Sequence, residues 1–425
     1  MKEEFLHFIY KKRLWKDDPI ILSDGRYAEV LNVGLHNHDS GPDFFNAKVK
    51  IDDEVWVGNV EIHINSSDWY KHGHQNDKAY GNVILHVVFN NDKAVFLPSG
   101  EEIPVWEMSF PHVLFNKFEE IYASDNEIPC SDYRDLIQKE IFNIWIEKMG
   151  VERLENKSEF ILALLEKSNN DWEHAFYISL ARSFGVGVNA DAFEMLANSI
   201  PLRLLRKYSS NSLELEALLF GQSGLLADAK LDDYVMKLSA EYEFLRKKHE
   251  LTPINPLIWK FSKMRPANQP YLKIAQFASL MLSFDGLFSK VIVESDAKGF
   301  KNLLKVNVSE YWEVHYSFGK TVAKTMSGFG SEAVNTLVIN TIAPFIFVYQ
   351  KQNSHYNNDS CDYSFLLNLK PENNREVRAW RLFGVKPKNA FESQALYYLK
   401  KEYCNKKECL RCYLGQMIMQ QINNL

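Results

Sequence analysis

The apolar residues of this chain change their period once, and that change limits the architecture more than any other feature. Up to about Trp106 they alternate in short runs rich in β-branched and aromatic residues: Tyr27 to Val33, Phe45 to Ile51, Val55 to Ile64 and Val83 to Phe89. A period of two turns one side of an extended segment toward a core, so these runs predict strands. Turn-forming residues separate them at Ser23-Asp24-Gly25, Asp52-Asp53, Gly81-Asn82 and Asn90-Asn91-Asp92. A further hairpin is expected from Ala94 to Trp106, turning at Pro98-Ser99-Gly100. One amphipathic helix precedes the strands over residues 3–15, with Phe5, Phe8, Ile9, Leu14 and Trp15 as its apolar positions.

From about Asp132 the spacing becomes i, i+3, i+4 and stays so through 137–168, 171–184, 190–198, 213–226, 231–249 and 271–349, with Pro201, Pro253, Pro256, Pro266 and Pro270 as punctuation. The glycines of Gly185-Val186-Gly187 and Gly221-Gln222-Ser223-Gly224 follow helical rather than strand patterns and read as helix breaks, not phosphate loops. The expected fold is α+β. A mixed α/β module covers 1–130, a large all-helical region 131–355, and a helical C-terminal region with a cysteine cluster 356–425.

Bulk composition narrows the function classes. Over 425 residues the net charge is -6, which argues against a generally basic nucleic-acid binder and leaves room for a local basic stripe. Two such sets are present: Lys260, Lys263, Arg265 and Lys273 interleaved with Trp259, Phe261 and Tyr271, and Lys400, Lys401, Lys406, Lys407 and Arg411 near the end. The segment Met1 to Phe8 is charged and then aromatic, without the apolar stretch of a leader. The richest apolar stretch, Val334 to Val348, is interrupted by Asn335, Asn340 and Pro344 and reads as a buried helix. A cytoplasmic chain without membrane association is expected.

The chemistry concentrates in the first hundred residues. Asp43 follows Gly41-Pro42 at a strand entrance, and Glu61 and His63 are two apart on the next strand, so their side chains share a face. A hairpin between Ile51 and Val55 would bring that strand back beside Asp43. Two carboxylates on neighbouring strands are costly unless a cation lies between them. Mg²⁺ or Mn²⁺ held by Asp43 and Glu61 is the expected solution. His36, His38, His63, His72, His74 and His86 add half of the chain's 12 histidines, with Asp68 and Asp77 close by in sequence. His72, His74, Asp68 and Asp77 are expected to line the site. His86, in an apolar strand, reads as a hydrogen-bonded core residue.

The order helix, three-strand meander, helical loop, strand, with Pro42-Asp43 and Glu61 in place, resembles the PD-(D/E)XK nuclease core. That resemblance implies a restriction-endonuclease-like module that hydrolyses phosphodiester bonds in DNA or RNA. Asp43, Glu61 and His63 would be the catalytic set, with His63 standing where the family has lysine. Lys48 and Lys50 are candidates for a migrated lysine, although both lie an odd number of residues from Asp43 and face away unless a bulge intervenes. Glu4 could supply a third acid. Two other readings stand beside this one: a catalytically inactive nuclease-like protein that binds nucleic acid or a protein partner, and a histidine-rich metallohydrolase of small substrates holding Zn²⁺, Mn²⁺ or Fe.

Cys404-x4-Cys409-x2-Cys412 is a second metal-like motif, suited to Zn²⁺ or an iron–sulfur cluster. It needs a fourth ligand, for which Cys130, Cys361 and His355 are candidates, Cys130 being preferred. The chain is also similar, over nearly its full length, to a bacterial family known as a domain of unknown function. The matching residues include Gly41-Pro42-Asp43-Phe44, Gly58-Asn59-Val60-Glu61-Ile62-His63, Ser67-Asp68-Trp69, Leu85-His86-Val87-Val88, Glu216 to Gln222, Arg265-Pro266 and the last three cysteines. That similarity implies no activity.

Overall fold

In the computed structural model, residues 1–37, 39–226, 232–305, 307–322, 328–353 and 363–423 are described. They fall into two compact units. The first comprises Met1–Trp145, Ala379–Gly384 and Leu399–Leu425, and the second Ile146–Arg378 and Val385–Tyr398. Residues 356–425, expected as a region of their own, are therefore divided between the two.

The first unit is built on a mixed sheet. Its elements are α1 (Glu3–Lys12), β1 (Ile20–Ile21), β2 (Tyr27–Asn32), β3 (Leu35–His36), β4 (Phe44–Ile51), β5 (Glu54–Asn65), α2 (Asp68–Lys71), β6 (Val83–Asn90), β7 (Val105–Glu107) and α3 (His112–Ala123). The strand order is β1-β2-β4-β5-β6-β7, with β3 pairing β4. Strands β1 to β5 pair antiparallel, whereas β5–β6 and β6–β7 are parallel. The Asp52-Asp53 turn joins β4 to β5 as the pattern implied, and Asp52 takes φ 50° there. The hairpin expected from Ala94 to Trp106 shrinks to a single bridge between Phe96 and Glu102, because Val105 and Trp106 pair in parallel with Val87 and neighbouring residues of β6.

A parallel pair needs a crossover. Residues 66–82 provide it, and they contain α2 and two short 3₁₀ turns, His74–Asn76 and Lys78–Tyr80. The returning chain passes so close to β5 that a side chain at position 58 has no room. A Cβ on Gly58 would stand 2.4 Å from Ile84 Cγ2 and 2.7 Å from the Asn82 carbonyl oxygen. Helix α1 is anchored to the sheet by Phe5, Leu6, Phe8, Ile9 and Tyr10, all buried. Tyr10 meets Phe44 at 4.9 Å, and Phe5 stacks on Phe118 of α3 at 5.1 Å. Past its end, Arg13 takes φ 54° and donates to the carbonyls of Val30 and Leu31 on β2.

The second unit is helical apart from a small hairpin, His315–Ser317 with Lys320–Thr321. Side-chain caps mark several helix starts where the sequence offers Asp or Asn. Asp171 accepts from the His174 amide and Asp232 from the Val235 amide. Pro256, Pro266 and Pro270 each open a helical turn, where a missing N–H costs nothing. Packed aromatic rings of Phe176, Phe184, Phe277 and Phe345 fill the interior. Ser331–Asn353 is long and apolar enough to cross a membrane by length and composition, and 67% of that window is buried within the unit.

Burial corrects one sequence expectation here. Trp259 and Lys273 belong to the interior rather than to a basic stripe. The Trp259 ring nitrogen donates to the Ser223 carbonyl at 2.9 Å, and Lys273 Nζ donates to Gln276 Oε1 at 3.1 Å. Burial lowers the Lys273 pKa to about 8. The unfolded chain holds this proton up to about 10.5, so stability rises with pH between roughly 8 and 10.5 as the buried charge is released. Lys273→Met is expected to stabilise the protein by up to about 3 kcal/mol below pH 8, with the gain fading as pH approaches 10.5. Denaturant unfolding at pH 7 and pH 10 checks this, and equal gains at both values would refute the burial cost.

Candidate metal centre

Asp43 is positioned by the loop that carries it. Gly41 takes φ 102°, and the Asn37 side chain donates to the carbonyls of Asp39, Ser40 and Pro42. The Asn37 amide then donates to the Asp43 carbonyl at 2.7 Å. At the head of β4, Phe44 pairs with Val60, which sets Asp43 beside Glu61. The contact is reciprocal. The Asp43 amide donates to Glu61 Oε2 at 3.1 Å, and the Ile62 amide donates to Asp43 Oδ2 at 2.9 Å.

Glu61 and His63 share a face of β5, as their spacing required. Glu61 Oε1 is 3.5 Å from His63 Nε2 and 3.2 Å from His74 Nε2. His63 is only 1% exposed and sits between two other imidazoles. Its Nδ1 is 2.8 Å from His86 Nε2, and its Nε2 is 3.1 Å from His72 Nδ1. One ligand atom from each of His63, His72 and His74 lies within 4.8 Å of the others, with His63 and His74 buried and His72 exposed. Parallel pairing places His86 opposite Glu61. The crossover supplies the other two histidines and their walls. His74 stacks on Tyr80 at 3.8 Å, and Trp69 stands 5.3 Å from His74 and 5.5 Å from His86.

This enclosure controls protonation. Burial, then the neighbouring Asp43 charge, raises the Glu61 pKa to about 9. Burial, then the charges of His86, His74 and His72, lowers His63 to about 2. Burial also lowers His86 to about 3 and moves His74 downward. His63, His74 and His86 are therefore held toward the neutral form that coordinates metal. His86 Nδ1 is buried without a hydrogen bond, whereas buried His74 Nε2 faces the Glu61 carboxyl at 3.2 Å. A buried imidazole nitrogen beside a carboxyl kept protonated near neutral pH is compatible with a bound cation.

Two participants escaped the sequence reading, both on α1. Burial pushes His7 down, but contact with Asp43 outweighs it and the pKa is raised; Nε2 lies 3.3 Å from Asp43 Oδ2. Burial raises Glu3 to about 7, with His7, Asp43 and Glu61 acting on it. On α1 it is thus half-buried Glu3 that is electrostatically linked to the pocket acids, whereas the Glu4 side chain is exposed. The i, i+4 spacing of Glu3 and His7 on one helix face was the available signal.

Other expected participants are placed elsewhere. Asp68 accepts from the Asn65 amide and pairs with Lys71, and Asp77 caps the 3₁₀ turn through the Ala79 amide. Both shape the crossover that carries His72 and His74. A bulge does interrupt β4, at Asn46 with φ 56°. Yet Lys48 and Lys50 pair opposite Val57 and Val55, roughly 13 and 20 Å along β5 from Glu61. His38, His355 and Cys361 lie outside the described residues. A cavity of about 580 Å³ in the same unit is lined by Arg13, Trp15, Asp17, Lys50 and neighbours, and by none of the histidines. Lys400 and Lys407, expected to meet phosphate, are engaged internally with Glu127 and with the Tyr122 and Ser124 carbonyls.

A family model described as "Protein of unknown function (DUF2851)" matches residues 3–375. The chain belongs to that family. No curated protein and no solved structure matches it. The DUF2851 match spans every acid and histidine of the pocket, together with Cys130, and ends before Cys404, short of the nearly full length expected.

A neutral isostere tests the role of Glu61. Glu61→Gln is expected to leave the metal-free protein folded, because the native carboxyl is already uncharged near neutral pH. It is expected to remove most of the stabilisation by Mn²⁺, about 2.7 kcal/mol at one hundred times the dissociation constant for the parent. Thermal unfolding with and without Mn²⁺ reads both effects, and an undiminished Mn²⁺ response in the variant would exclude Glu61 as a ligand.

Proposed function

We propose that the pocket binds a divalent transition-metal ion and that the protein is a metal-dependent phosphodiesterase acting on nucleic acid. The observation that carries the reading is the convergence of Asp43 and Glu61 with His63, His72 and His74 on one buried face of β5. The donors would be Glu61 and the three histidines, with Asp43 supplying charge beside them. Imidazole-rich sets suit Mn²⁺, Zn²⁺ or Fe better than Mg²⁺. A bound ion would supply Lewis acidity and a low-pKa water.

The nuclease part of the proposal rests on the order of elements. Helix α1, an antiparallel pair with Asp43 at the head of one strand and Glu61 on the next, and a parallel strand after a crossover support the PD-(D/E)XK reading. Fold-level likeness raises this reading without carrying it alone. On this reading His63 would stand where that family has lysine, and His86 would orient it by accepting from Nδ1, which leaves Nε2 free as a ligand or base. Exposed His72 marks the side from which substrate would approach. His7, held protonated further into the neutral range by Asp43, would face the phosphate as a cation or pass a proton to the leaving oxygen. The grouping of His63, His72 and His74 also supports a second reading, a metallohydrolase of small substrates.

The test is cleavage by the purified full chain with Mn²⁺, Mg²⁺ or Zn²⁺, on single- and double-stranded DNA, on RNA, and on a small phosphodiester. Mn²⁺-dependent cutting of nucleic acid is expected. Asp43→Ala and Glu61→Ala are expected to slow it by about 10²–10⁴-fold while circular dichroism stays unchanged. Cutting of the small ester alone would favour the second reading. Binding of nucleic acid without cleavage under any of the ions would favour an inactive scaffold, and full activity in both variants would end the proposal.

A further inference from the structure

One stretch of the second unit runs against the charge of the whole chain. From Leu251 to Phe284 there is no Asp or Glu, while Lys260, Lys263, Arg265 and Lys273 fall within it, in a protein of net charge -6. Lys273 is taken up by the interior. The other three are exposed, and none of them pairs with an acid among the described residues. Val186, Val188, Lys263, Met264, Arg265 and Asn268 line a cleft of about 320 Å³. The wall opposite the cations, Ser183 to Asn189, adds no acid either, and the first acids beyond it, Asp191 and Glu194, are both engaged by Arg182. The cleft is therefore cationic with nothing nearby in sequence to neutralise it.

The loop that carries these cations is pinned by buried groups. Asn189, 3% exposed, takes both backbone groups of Lys260: its Oδ1 accepts from the Lys260 amide at 2.8 Å, and its Nδ2 donates to the Lys260 carbonyl at 2.9 Å. On one side of Lys260 the Trp259 ring is tied to Ser223, and on the other Gln269 Nε2 donates to the Phe261 carbonyl at 3.2 Å. Two residues of the cleft hold left-handed backbone without being glycine, Val186 at φ 49° and Lys263 at φ 59°. A β-branched residue is costly there and persists only where its surroundings fix it. A loop fixed in this way loses little freedom when a ligand arrives. Phe261, between Lys260 and Lys263, stands 5.6 Å from the Tyr271 ring and is 38% exposed. Val186 and Val188 are also about half exposed, so the surface offers apolar contact beside its charge.

We propose that this cleft, with Lys260 and Phe261 beside it, binds a single strand of nucleic acid. Lys260, Lys263 and Arg265 meet its phosphates, where the release of condensed counterions drives binding, and Phe261 takes an unstacked base on its exposed ring. An acidic protein segment would meet the same charges, but it has no flat base to place on Phe261. The proposal rests on the nucleic-acid reading of the histidine pocket for its substrate class, and it assigns the grip on the strand to residues outside that pocket.

Fluorescence anisotropy of a labelled single-stranded oligonucleotide with the full chain, in EDTA so that no metal-dependent cutting occurs, tests this. Lys263→Asn and Arg265→Gln remove charge from exposed positions, and asparagine tolerates the left-handed backbone at 263, so folding is expected to be retained and circular dichroism checks it. Together they are expected to weaken binding about tenfold or more and to lower the slope of log affinity against log salt by about 0.7 per cation removed. Phe261→Ala is expected to weaken binding about fivefold or more with the slope unchanged. Asp43→Ala and Glu61→Ala should bind as the parent does, and the Lys263→Asn, Arg265→Gln variant should treat a small phosphodiester as the parent does, so failure of the cleft and failure of the pocket are read separately. Absence of oligonucleotide binding, or an affinity and slope unchanged in the double variant, would overturn the proposal. Equally tight binding of polyglutamate would also overturn it and assign the cleft to an acidic protein segment.

Discussion

Glu61 is held where its charge is poorly solvated, beside a second carboxyl that accepts a backbone hydrogen bond from the same strand. Its neighbours are Asp43, His63 and His74, and it is 4% exposed. A carboxyl in that position must stay protonated or find a cation. The first is a cost without a return, since a neutral amide or apolar side chain would pack as well. The second turns the same burial into affinity, because a cation in a low-dielectric pocket is attracted more strongly than in water. The surrounding histidines His63, His74 and His86 do not supply that cation themselves. They bring ring nitrogens that burial keeps neutral, and hence no charge to satisfy Glu61.

The crossover between β5 and β6 makes this possible. A hairpin connection would have returned the chain along the edge of β5, leaving the Glu61 face open to water. A parallel partner obliges the chain to travel back over one face of the sheet. Residues 66–82 do so in short turns capped by Asp92, Asp68 and Asp77. They carry His72 and His74 onto the face that Glu61 and His63 present, and close it with Trp69 and Tyr80. Gly58 permits the close approach at the end of that path. The acids and the histidines thus belong to one folding decision, which makes Asp68 and Asp77 supports of the pocket rather than members of it.

Much of this was legible in the sequence, for identifiable reasons. Strand parity paired Glu61 with His63, because a period of two leaves no freedom within a regular strand. The Asp52-Asp53 turn brought Asp43 to Glu61, and the prolines punctuated the helical region. Long-range packing was not legible. Val105 and Trp106 read as the arm of a hairpin, since nothing local distinguishes an antiparallel from a parallel partner. Trp259 and Lys273 read as a surface stripe, since a helix that is apolar almost all round hides which polar residue points inward. Glu3 and His7 were missed because α1 reads as a packing element, and the direction of its polar edge depends on how it docks on the sheet.

Lysine is the group whose absence bears most on chemistry. The acids act on one another and on four imidazoles, and the two lysines of β4 stand several residues down the strand. An ammonium near Glu61 would have lowered its pKa and reduced its need for an ion. Histidine at position 63 does the reverse. Buried and neutral, it offers a lone pair, passes its other nitrogen to His86, and adds no positive charge to compete with a metal. On the proposed nuclease-like reading, histidine in place of lysine at this point would move the site from a charge-balanced pair of carboxylates toward a nitrogen-rich coordination sphere. That shift would favour transition metals with imidazole affinity over Mg²⁺, and would tie metal preference to a single position on β5.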